Sequence, residues 1–274
     1  MKGLYKPTEL HAFLRHLGAH PQKRLSQNFL IDGNILNKIV RTAQIQTGEC
    51  VVEIGPGPGA LTEALLQAGA TVIAVEKDRL FADALGRLQN GNLSIFCQDV
   101  LDFSLDAVVE AKVVANLPYH LTAPLLAKLL PLHPKISSLT LMVQKEVAQR
   151  IVATTGSSHY SSLSLFVRFF ANPRLCFTVS PHCFYPAPQV ESAVVHLALK
   201  APPAVEGREA FFSFVRAAFQ QRRKMLRSSL KDKASKECVE DTLLALGLTR
   251  QARPEELSLE QFLALFKRVE DEGK

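Results

Sequence analysis

The chain has 274 residues, of which 47% are hydrophobic and 21% charged, and its formal net charge is +6 at pH 7. This length suits one large domain plus a small one with an ample core. No apolar run approaches the ~18 residues that a membrane span needs, and the N-terminal stretch carries scattered charges where a signal peptide would be apolar. Five cysteines without C-x-x-C spacing indicate reduced thiols, not disulfides or a zinc site. We therefore expect a soluble cytoplasmic protein without a metal.

The positive charge is concentrated in one segment. From Arg216 to Lys236 there are eight Lys and Arg residues against one acid, so the local net charge is +7 and the remainder sums to about −1. Such a segment predicts a polyanionic partner, most simply a nucleic acid. The predicted RNA-binding residues are Arg216, Arg222, Arg223, Lys224, Arg227 and Lys231.

The N-terminal third begins with a predicted amphipathic helix over residues 4–18. The polar and basic stretch 21–30 follows, in which Gln27 and Asn28 precede apolar Phe29 and Leu30. Amide groups beside apolar anchors suit a lid over a ligand, and we call residues 21–30 the lid. A Gln-Asn pair also occurs in ordinary loops. A further helix is predicted over residues 32–44 with Asp32 as its N-cap.

A glycine-rich turn follows the first predicted strand. Residues 51–61 read Val-Val-Glu-Ile-Gly-Pro-Gly-Pro-Gly-Ala-Leu, with a helix beginning near Ala60. The helix N-terminus directs its N–H groups and the positive end of its dipole towards the turn. Strand, glycine turn and helix in this order are typical of the nucleotide site of a doubly wound α/β fold.

The spacing of the glycines and the preceding acid restrict the ligand. Gly55, Gly57 and Gly59 form G-x-G-x-G, not the G-x-G-x-x-G of dinucleotide-binding folds. Glu53 would repel a pyrophosphate but attract a cation such as the amino and sulfonium groups of S-adenosylmethionine. The pattern resembles motif I of class I methyltransferases. A tight turn without a ligand and a nicotinamide or flavin dehydrogenase remain alternatives at this point.

Residues 50–145 alternate between strand and helix, which predicts parallel strands with crossover connections. The predicted strands are 50–54, 71–75, 93–97, 112–116 and 139–143. Polar residues occur at successive strand ends: Glu53, Glu76, Asp99 and Asn116. Glu76 suits both ribose hydroxyls of a nucleoside, and Asp99 suits an adenine amino group.

The second half of the chain is predicted to change from mixed structure to helix. We expect a helix over 144–152, a loop over 154–162, strands over 163–170 and 193–199, and an irregular, proline-stiffened segment over 177–190 that presents Phe184 and Tyr185. A proline-rich linker over 200–208 separates the predicted domains 1–200 and 208–274. Helices are predicted over 209–231, 235–246 and 258–270.

The sequence Asn116-Leu117-Pro118-Tyr119 suggests the chemistry. The Asn116 side-chain oxygen and the Leu117 carbonyl can accept hydrogen bonds from an aromatic amine such as N6 of adenine, which draws its lone pair out of conjugation. Pro118 directs that carbonyl, Tyr119 offers a stacking face, and Phe184 can enclose the base from the other side. Methyl transfer would then depend chiefly on positioning, with the adenine flipped out of its stack. A turn with a packed aromatic is the simpler interpretation.

Together these motifs resemble the ribosomal RNA adenine N6-dimethyltransferases, most closely the kasugamycin-resistance type that acts on small-subunit RNA. The matching stretches are 25–30, 53–59, 75–78, 98–100, 116–119, 184–193 and 219–226, which span nearly the whole chain. The resemblance implies a mostly parallel, Rossmann-like methyltransferase sheet of about seven strands with a small all-α C-terminal domain. Two departures occur, since Ser26 stands where the family commonly has Gly and Glu191 where it commonly has Asp.

The resemblance also implies a cofactor, a target and a partner. The predicted catalytic residues are Asn116, Leu117, Pro118, Tyr119 and Phe184. The residues predicted to bind S-adenosylmethionine are Gln27, Asn28, Leu30, Glu53, Gly55, Gly57, Gly59, Glu76, Lys77, Asp99, Val100 and Asn116. Family members dimethylate two adjacent adenines near the 3′ end of small-subunit (16S) rRNA, late in subunit assembly, so the expected partner of a monomeric enzyme is the small ribosomal subunit.

Three alternatives accompany this interpretation. The related large-subunit methyltransferase that confers macrolide resistance shares the catalytic motifs, but the basic run 219–224 and its helical domain favour the small-subunit enzyme. A non-catalytic RNA-binding, assembly or transcription factor could reuse the fold, against which the intact motifs argue. A dehydrogenase is disfavoured because nothing marks a hydride acceptor.

Overall fold

The computed structural model describes residues 3–22, 27–106, 108–221 and 224–272. These residues form two compact units. The first comprises Met1–Ala148 and Ala171–Ala201, and the second comprises Gln149–Phe170 and Pro202–Lys274. The predicted division at residues 200–208 differs from this one, because residues 149–170 belong with the helical unit. Among the described helices, none combines the length and apolar composition needed to cross a membrane.

The first unit contains a seven-stranded sheet with the order β4-β3-β2-β5-β6-β9-β7. The strands in chain order are β1 (Phe29–Leu30), β2 (Cys50–Ile54), β3 (Thr71–Glu76), β4 (Leu93–Cys97), β5 (Ala111–Asn116), β6 (Ile136–Gln144), β7 (Ala171–Val179), β8 (Phe184–Tyr185) and β9 (Ser192–Leu199). The five neighbours from β4 to β6 are parallel, and β9 pairs antiparallel with both β6 and the edge strand β7. This arrangement confirms the predicted mostly parallel α/β sheet.

Helices cover this sheet because its central strands are apolar on both faces. The helices of the first unit are α1 (Pro7–His16), α2 (Gly33–Ala43), α3 (Ala60–Gln67), α4 (Arg79–Leu85), α5 (Thr122–Leu129) and the start of α6 (Lys145–Val152). Ile39 and Leu65 from two of these helices pack in one core with strand residues Val51, Val72 and Val114. All five side chains are nearly or fully buried, as expected for a doubly covered parallel sheet.

Helix α2 begins where the sequence predicts it. The side chain of Asp32 accepts hydrogen bonds from the backbone N–H groups of Asn34 and Ile35 at 2.8 and 3.2 Å. Asp32 is therefore the N-cap, and it satisfies two of the N–H groups that a helix leaves without a partner.

A second, two-stranded sheet connects distant parts of the first unit. Strand β1 pairs antiparallel with β8, so that Phe29 lies opposite Tyr185 and Leu30 opposite Phe184. The C-terminal end of the predicted lid is thus attached to the segment that carries Phe184. The middle of that lid, residues 23–26, lies outside the described residues and includes the departure at Ser26.

The second unit is helical. It contains the end of α6, α7 (Ser162–Phe170), α8 (Arg208–Phe219), α9 (Leu226–Ser229), α10 (Lys236–Ala245) and α11 (Leu259–Glu272). A cluster of aromatic rings forms its core, with Phe169 4.9–5.7 Å from the rings of Phe170, Phe211 and Phe212. Edge-to-face packing of this kind adds to the stabilisation from apolar burial.

Three predictions about the second half of the chain are wrong, and the first concerns residues 163–170. This predicted strand is helix α7, in which Phe166, Phe169 and Phe170 are spaced i, i+3, i+4 and contact the rings of α8. A short apolar run does not distinguish strand from helix, and packing decides.

The other two concern the segment 177–190 and the end of α8. Within the segment 177–190, β7 extends to Val179 and β8 covers Phe184–Tyr185, because the prolines at 181, 186 and 188 lie outside both strands. Strand β7 also contains Pro173, which is tolerated because β7 lies at the edge of the sheet. The predicted helix 209–231 ends at Phe219. Met225 is extended, and the short α9 begins at Leu226, whose N–H donates to the carbonyl of Ala252 at 3.0 Å.

Candidate active site

The glycine turn joins β2 to α3 through backbone conformations that side chains disfavour. Gly55, Gly57 and Gly59 have φ values of +64°, +53° and +90°. A Cβ on Gly59 would lie 2.6 Å from Cδ2 of Leu85, whereas one on Gly55 would meet nothing within 4 Å. Gly59 therefore permits the close approach of the turn to the end of α4, while Gly55 leaves open space beside the strand end.

Glu53 is a buried acid without a partner. Its side chain is 1% exposed, and neither carboxylate oxygen has a hydrogen-bond partner among the described residues. Burial is the main cause that raises the pKa of Glu53 to about 8; the hydroxyl and N–H of Thr62 act in the opposite direction, and the charge of Glu76 raises this pKa further. A carboxylate in such surroundings is costly unless a cation or a donor reaches it. Glu53 thus indicates a positively charged or hydrogen-donating ligand.

Glu76 connects the end of β3 to the glycine turn. Its Oε2 accepts from the N–H of Gly57 at 2.9 Å, and its Oε1 accepts from the N–H of Asp78 at 2.8 Å. Burial raises the pKa of Glu76, although these N–H groups act in the opposite direction. Two acids at adjacent strand ends thus present carboxyl oxygens, and a cation or N–H donor beside them would favour their ionised forms.

Asp99 after β4 is held by two donors. Lys77 Nζ lies 2.7 Å from its Oδ2, and the N–H of Leu101 donates to Oδ1 at 2.9 Å. The hydrogen bond from Lys77 is the main cause that lowers the pKa of Asp99. Lys77 remains 63% exposed and Asp99 23% exposed, so this pair lies at the solvent-facing side of the site.

Lys128 and Arg87 support the site, and the sequence provides no signal for either. Lys128 Nζ donates to the carbonyls of Val100, Leu101 and Phe103 at 2.6–2.8 Å, which secures the loop after Asp99. Arg87 donates to the carbonyl of Pro58 in the glycine turn, and its guanidinium lies 4.7 Å from the ring centroid of Phe13. Both side chains join residues far apart in sequence.

Asn116 lies between the lid and the turn that follows β5. Its Nδ2 donates to the carbonyl of Asn28 at 3.0 Å, which leaves Oδ1 as the side-chain acceptor. The N–H of Leu117 donates to the carbonyl of Met142 at 3.1 Å and extends the β5–β6 ladder by one residue. Tyr119 begins a 3₁₀ turn, Tyr119–Leu121. The polar atoms at the end of β5 are therefore held by the sheet on one side and the lid on the other.

The flanks of the lid are bound to the start of α4. The side-chain amides of Gln22 and Gln27 donate to Oδ2 of Asp78 at 3.0 and 3.3 Å, and the N–H of Gln22 donates to Oε1 of Gln27 at 2.9 Å. Gln27 thus acts here as a structural contact at the rim of the cavity that it lines.

Most of the predicted site residues line one cavity. The predicted residues that line it are Gln27, Asn28, Leu30, Glu53, Gly55, Gly57, Glu76, Lys77, Asp99, Val100, Asn116, Leu117, Pro118 and Tyr119. Gly59 and Phe184 are absent from the described lining. Phe184 is 3% exposed and packs in the core beside α2. Leu4 and Leu10 also line the cavity, and only the fold of the N-terminal segment onto this unit reveals them.

The predicted RNA-binding residues lie in the second unit, and they differ in exposure and in whether an acid pairs with them. Arg216, Lys224 and Lys231 are exposed. Arg227, in contrast, is paired with Glu240 at 2.5 Å, and the two side chains are 28% and 12% exposed. Arg222 and Arg223 lie outside the described residues. The net charge of the segment therefore overstates the positive charge available to a partner.

The fold and the site define a Rossmann-like methyltransferase: a seven-stranded sheet with one antiparallel region, a glycine turn after β2, and acids at the ends of the next two strands, β3 and β4. The model of the ribosomal RNA adenine dimethylase family matches residues 19–271. The chain belongs to this family, and it is an rRNA adenine dimethyltransferase.

Curated relatives are similar over nearly the whole chain. The ribosomal RNA small subunit methyltransferase A of Protochlamydia amoebophila is 52% identical over 273 residues, which is 96% of both chains. The protein of the same name from Chlamydia muridarum is 45% identical over 272 residues, or 96% of this chain and 97% of the relative.

Two solved structures share the fold. A dimethyladenosine transferase from Plasmodium falciparum has a TM-score of 0.77 at 27% identity and covers 89% of this chain and 98% of its own. The 23S rRNA methyltransferase ErmE has a TM-score of 0.72 at 28% identity and covers 89% of this chain and 100% of its own.

Gly59→Ala should disturb the site more than an equivalent change elsewhere. The new Cβ adds a close approach to Leu85 to the strain of a positive φ, so we expect a loss of about 2–4 kcal/mol in unfolding free energy. Gly91→Ala is the matched control, because Gly91 has φ +88° and no atom within 4 Å of an added Cβ. Urea denaturation of both variants measures the difference, and equal losses would contradict the packing role of Gly59.

Glu53→Gln should change the pH dependence of stability. The native pKa of about 8 exceeds the ordinary value of 4.5. Between these two pKa values, the native state keeps a proton that the unfolded state releases. The contribution of protonated Glu53 to the free energy of unfolding is therefore complete below pH 4.5 and is lost as the pH rises to about 8. Without ligand, the free energy of unfolding of the wild type should fall, relative to that of Glu53→Gln, by on the order of a few kcal/mol between about pH 5 and 8. Parallel pH profiles of the urea midpoint would rule this out.

Proposed function

We propose that this enzyme transfers methyl groups from S-adenosylmethionine to N6 of two adjacent adenines near the 3′ end of 16S rRNA in the small ribosomal subunit. The observation that carries the proposal is that the buried acid Glu53 and the acceptor turn 116–119 line one cavity. One part suits a cationic nucleoside, and the other suits an aromatic amine.

The described residues fit S-adenosylmethionine. Glu53 would meet the amino group of the methionine part, which gives its orphaned oxygens a charged donor. Open space beside Gly55 accommodates the ligand near the strand end, Glu76 would accept from the ribose, and Asp99 from the adenine amine. Bound there, the cofactor supplies an electrophilic methyl group on a sulfonium sulfur.

The residues at the end of β5 would hold the target adenine. Because Asn116 Nδ2 is engaged by the carbonyl of Asn28, Asn116 Oδ1 is oriented as an acceptor for N6, together with the Leu117 carbonyl. Tyr119 lines the cavity and provides the stacking face. These carbonyl oxygens stabilise the positive charge that develops on N6 during attack, and the positioning itself supplies much of the rate. A role for Phe184 as the opposite wall requires it to leave its buried position.

The identity of the relatives favours the small subunit as the partner. Proteins that are 45% and 52% identical over 96% of the chain are named small-subunit methyltransferases, whereas ErmE, named for 23S rRNA, is 28% identical. This difference supports action on 16S rRNA over the large-subunit alternative. We further propose that the enzyme works late in subunit assembly, as a monomer in the cytoplasm, where this substrate is found.

A direct test is to offer methyl-labelled S-adenosylmethionine to unmethylated small subunits, large subunits and naked rRNA, and to map the product by mass. We expect dimethyladenosine on the small subunit only. Asn116→Ala is the matched variant, because it removes an acceptor for N6 but no predicted charge partner of the cofactor. It should bind cofactor within about threefold of wild type and lose at least ~100-fold in transfer rate. Methylation of large subunits would contradict the proposed partner, and an active Asn116→Ala variant the proposed role.

The exposed cations of the second unit should carry salt-dependent RNA binding. Replacing Arg216, Lys224 and Lys231 by Gln should weaken small-subunit binding and flatten its salt dependence by roughly one unit of slope for each phosphate that is no longer neutralised. Arg227→Gln should act differently, since it leaves Glu240 without its 2.5 Å partner and reduces stability. Filter binding at several salt concentrations distinguishes the triple variant, which should lower the salt slope, from Arg227→Gln, which should act through stability. An unchanged slope in the triple variant would mean that these cations only face solvent.

A further inference from the structure

Tyr119 is tethered through both its side chain and its backbone. Its phenolic oxygen lies 3.0 Å from Oγ of Ser192, within hydrogen-bond distance. At the other end, the hydroxyl of Thr122 donates to the Tyr119 carbonyl at 3.2 Å. The ring itself is only partly buried and lines the cavity. The bond to Ser192 fixes the position of the phenolic oxygen and therefore the direction in which the ring projects from the backbone.

Ser192 is a rigid anchor for that bond. It is fully buried at the start of β9, where it pairs with Gln144 of β6 on one side and Val179 of β7 on the other. The preceding carbonyl, that of Glu191, accepts from the N–H of Lys145 at 2.9 Å. Three strands therefore determine the position of the hydroxyl.

A buried hydroxyl at this position is costly unless it has a partner. Strand β9 reads Ser-Ala-Val-Val-His-Leu-Ala-Leu, so that alanine, valine and leucine fill most of the comparable positions. Alanine would occupy the same space without the desolvation cost of an O–H group. The bond to Tyr119 compensates for that cost and points to a function outside the packing of the strand.

We propose that Ser192 is a positioning residue for methyl transfer, because it holds the Tyr119 ring at the angle that aligns a stacked adenine with Asn116 and Leu117. The inference rests on the proposed function. Tyr119 follows the two acceptors closely in the chain, so the direction in which its ring projects determines where a stacked base lies and how its N6 meets them. In a reaction that depends on positioning, a tilted base loses rate although it still binds.

A double-mutant cycle tests the coupling. Ser192→Ala and Tyr119→Phe each remove one half of the bond, and Tyr119→Phe leaves the buried position 192 unchanged. Each should lower kcat about tenfold with the KM for the subunit and the Kd for cofactor within about twofold, and the double variant should be no slower than either. Ser138→Ala, which removes another buried hydroxyl from the same sheet, is the control and should keep its kcat. Unchanged kcat in Ser192→Ala, or losses that multiply in the double variant, would overturn the proposal.

The orientation of the Tyr119 side chain provides a readout that does not depend on activity. The chain has four tyrosines, so a ¹³C-tyrosine NMR spectrum can be assigned by substitution. The Tyr119 side chain should hold one χ1 rotamer in the wild type and average between rotamers in Ser192→Ala, whereas a bond that only stabilises the strand would leave the rotamer populations unchanged and overturn the proposal. If the wild type methylates neither subunit, the proposed function fails, and the rotamer populations alone then decide whether Ser192 restrains Tyr119.

Discussion

Two buried carboxylates beside a glycine turn are the constraint on which the site depends. Glu53 has no partner among the described residues, and Glu76 is tied to the turn through the N–H of Gly57. The fold tolerates them because they lie at the carboxyl ends of β2 and β3, where the crossover connections leave a cavity open to a ligand. An incoming cation would remove the cost of burying them, so the same burial that weakens the fold strengthens the binding of such a ligand.

The parts of the cavity that are proposed to hold cofactor and target are joined by hydrogen bonds across long sequence distances. Asn116 donates to the carbonyl of Asn28, and Leu30 of the same segment pairs with Phe184. A displacement of the lid would therefore move the proposed acceptors for the target base. A displacement of the turn after β5 would likewise move the lid. This arrangement suits an enzyme whose catalysis depends on geometry, because each acceptor is held from two directions.

Under the proposed function, the first unit would carry out the chemistry and the second would contribute affinity for RNA. The first holds the cavity, and the second holds a segment with the exposed cations Arg216, Lys224 and Lys231. The ion pair between Arg227 and Glu240 shows that a basic segment also serves its own fold. The chain is similar both to methyltransferases named for the small subunit and to ErmE, which is named for 23S rRNA. Under the proposed function, a surface outside the cavity would select the RNA partner.

The sequence by itself determined the parallel sheet, the glycine turn and the acids at successive strand ends, because these depend on local periodicity and on residue types with few conformational alternatives. The tertiary structure alone decided that residues 163–170 form a helix, that β7 continues through Pro173, and that residues 149–170 join the helical unit. It also decided the contacts of Arg87, Lys128 and Ser192, and the burial of Phe184. The physical reason is the same in each case: ring packing, a free sheet edge and long-range hydrogen bonds arise between residues distant in the chain, and local patterns carry no information about them.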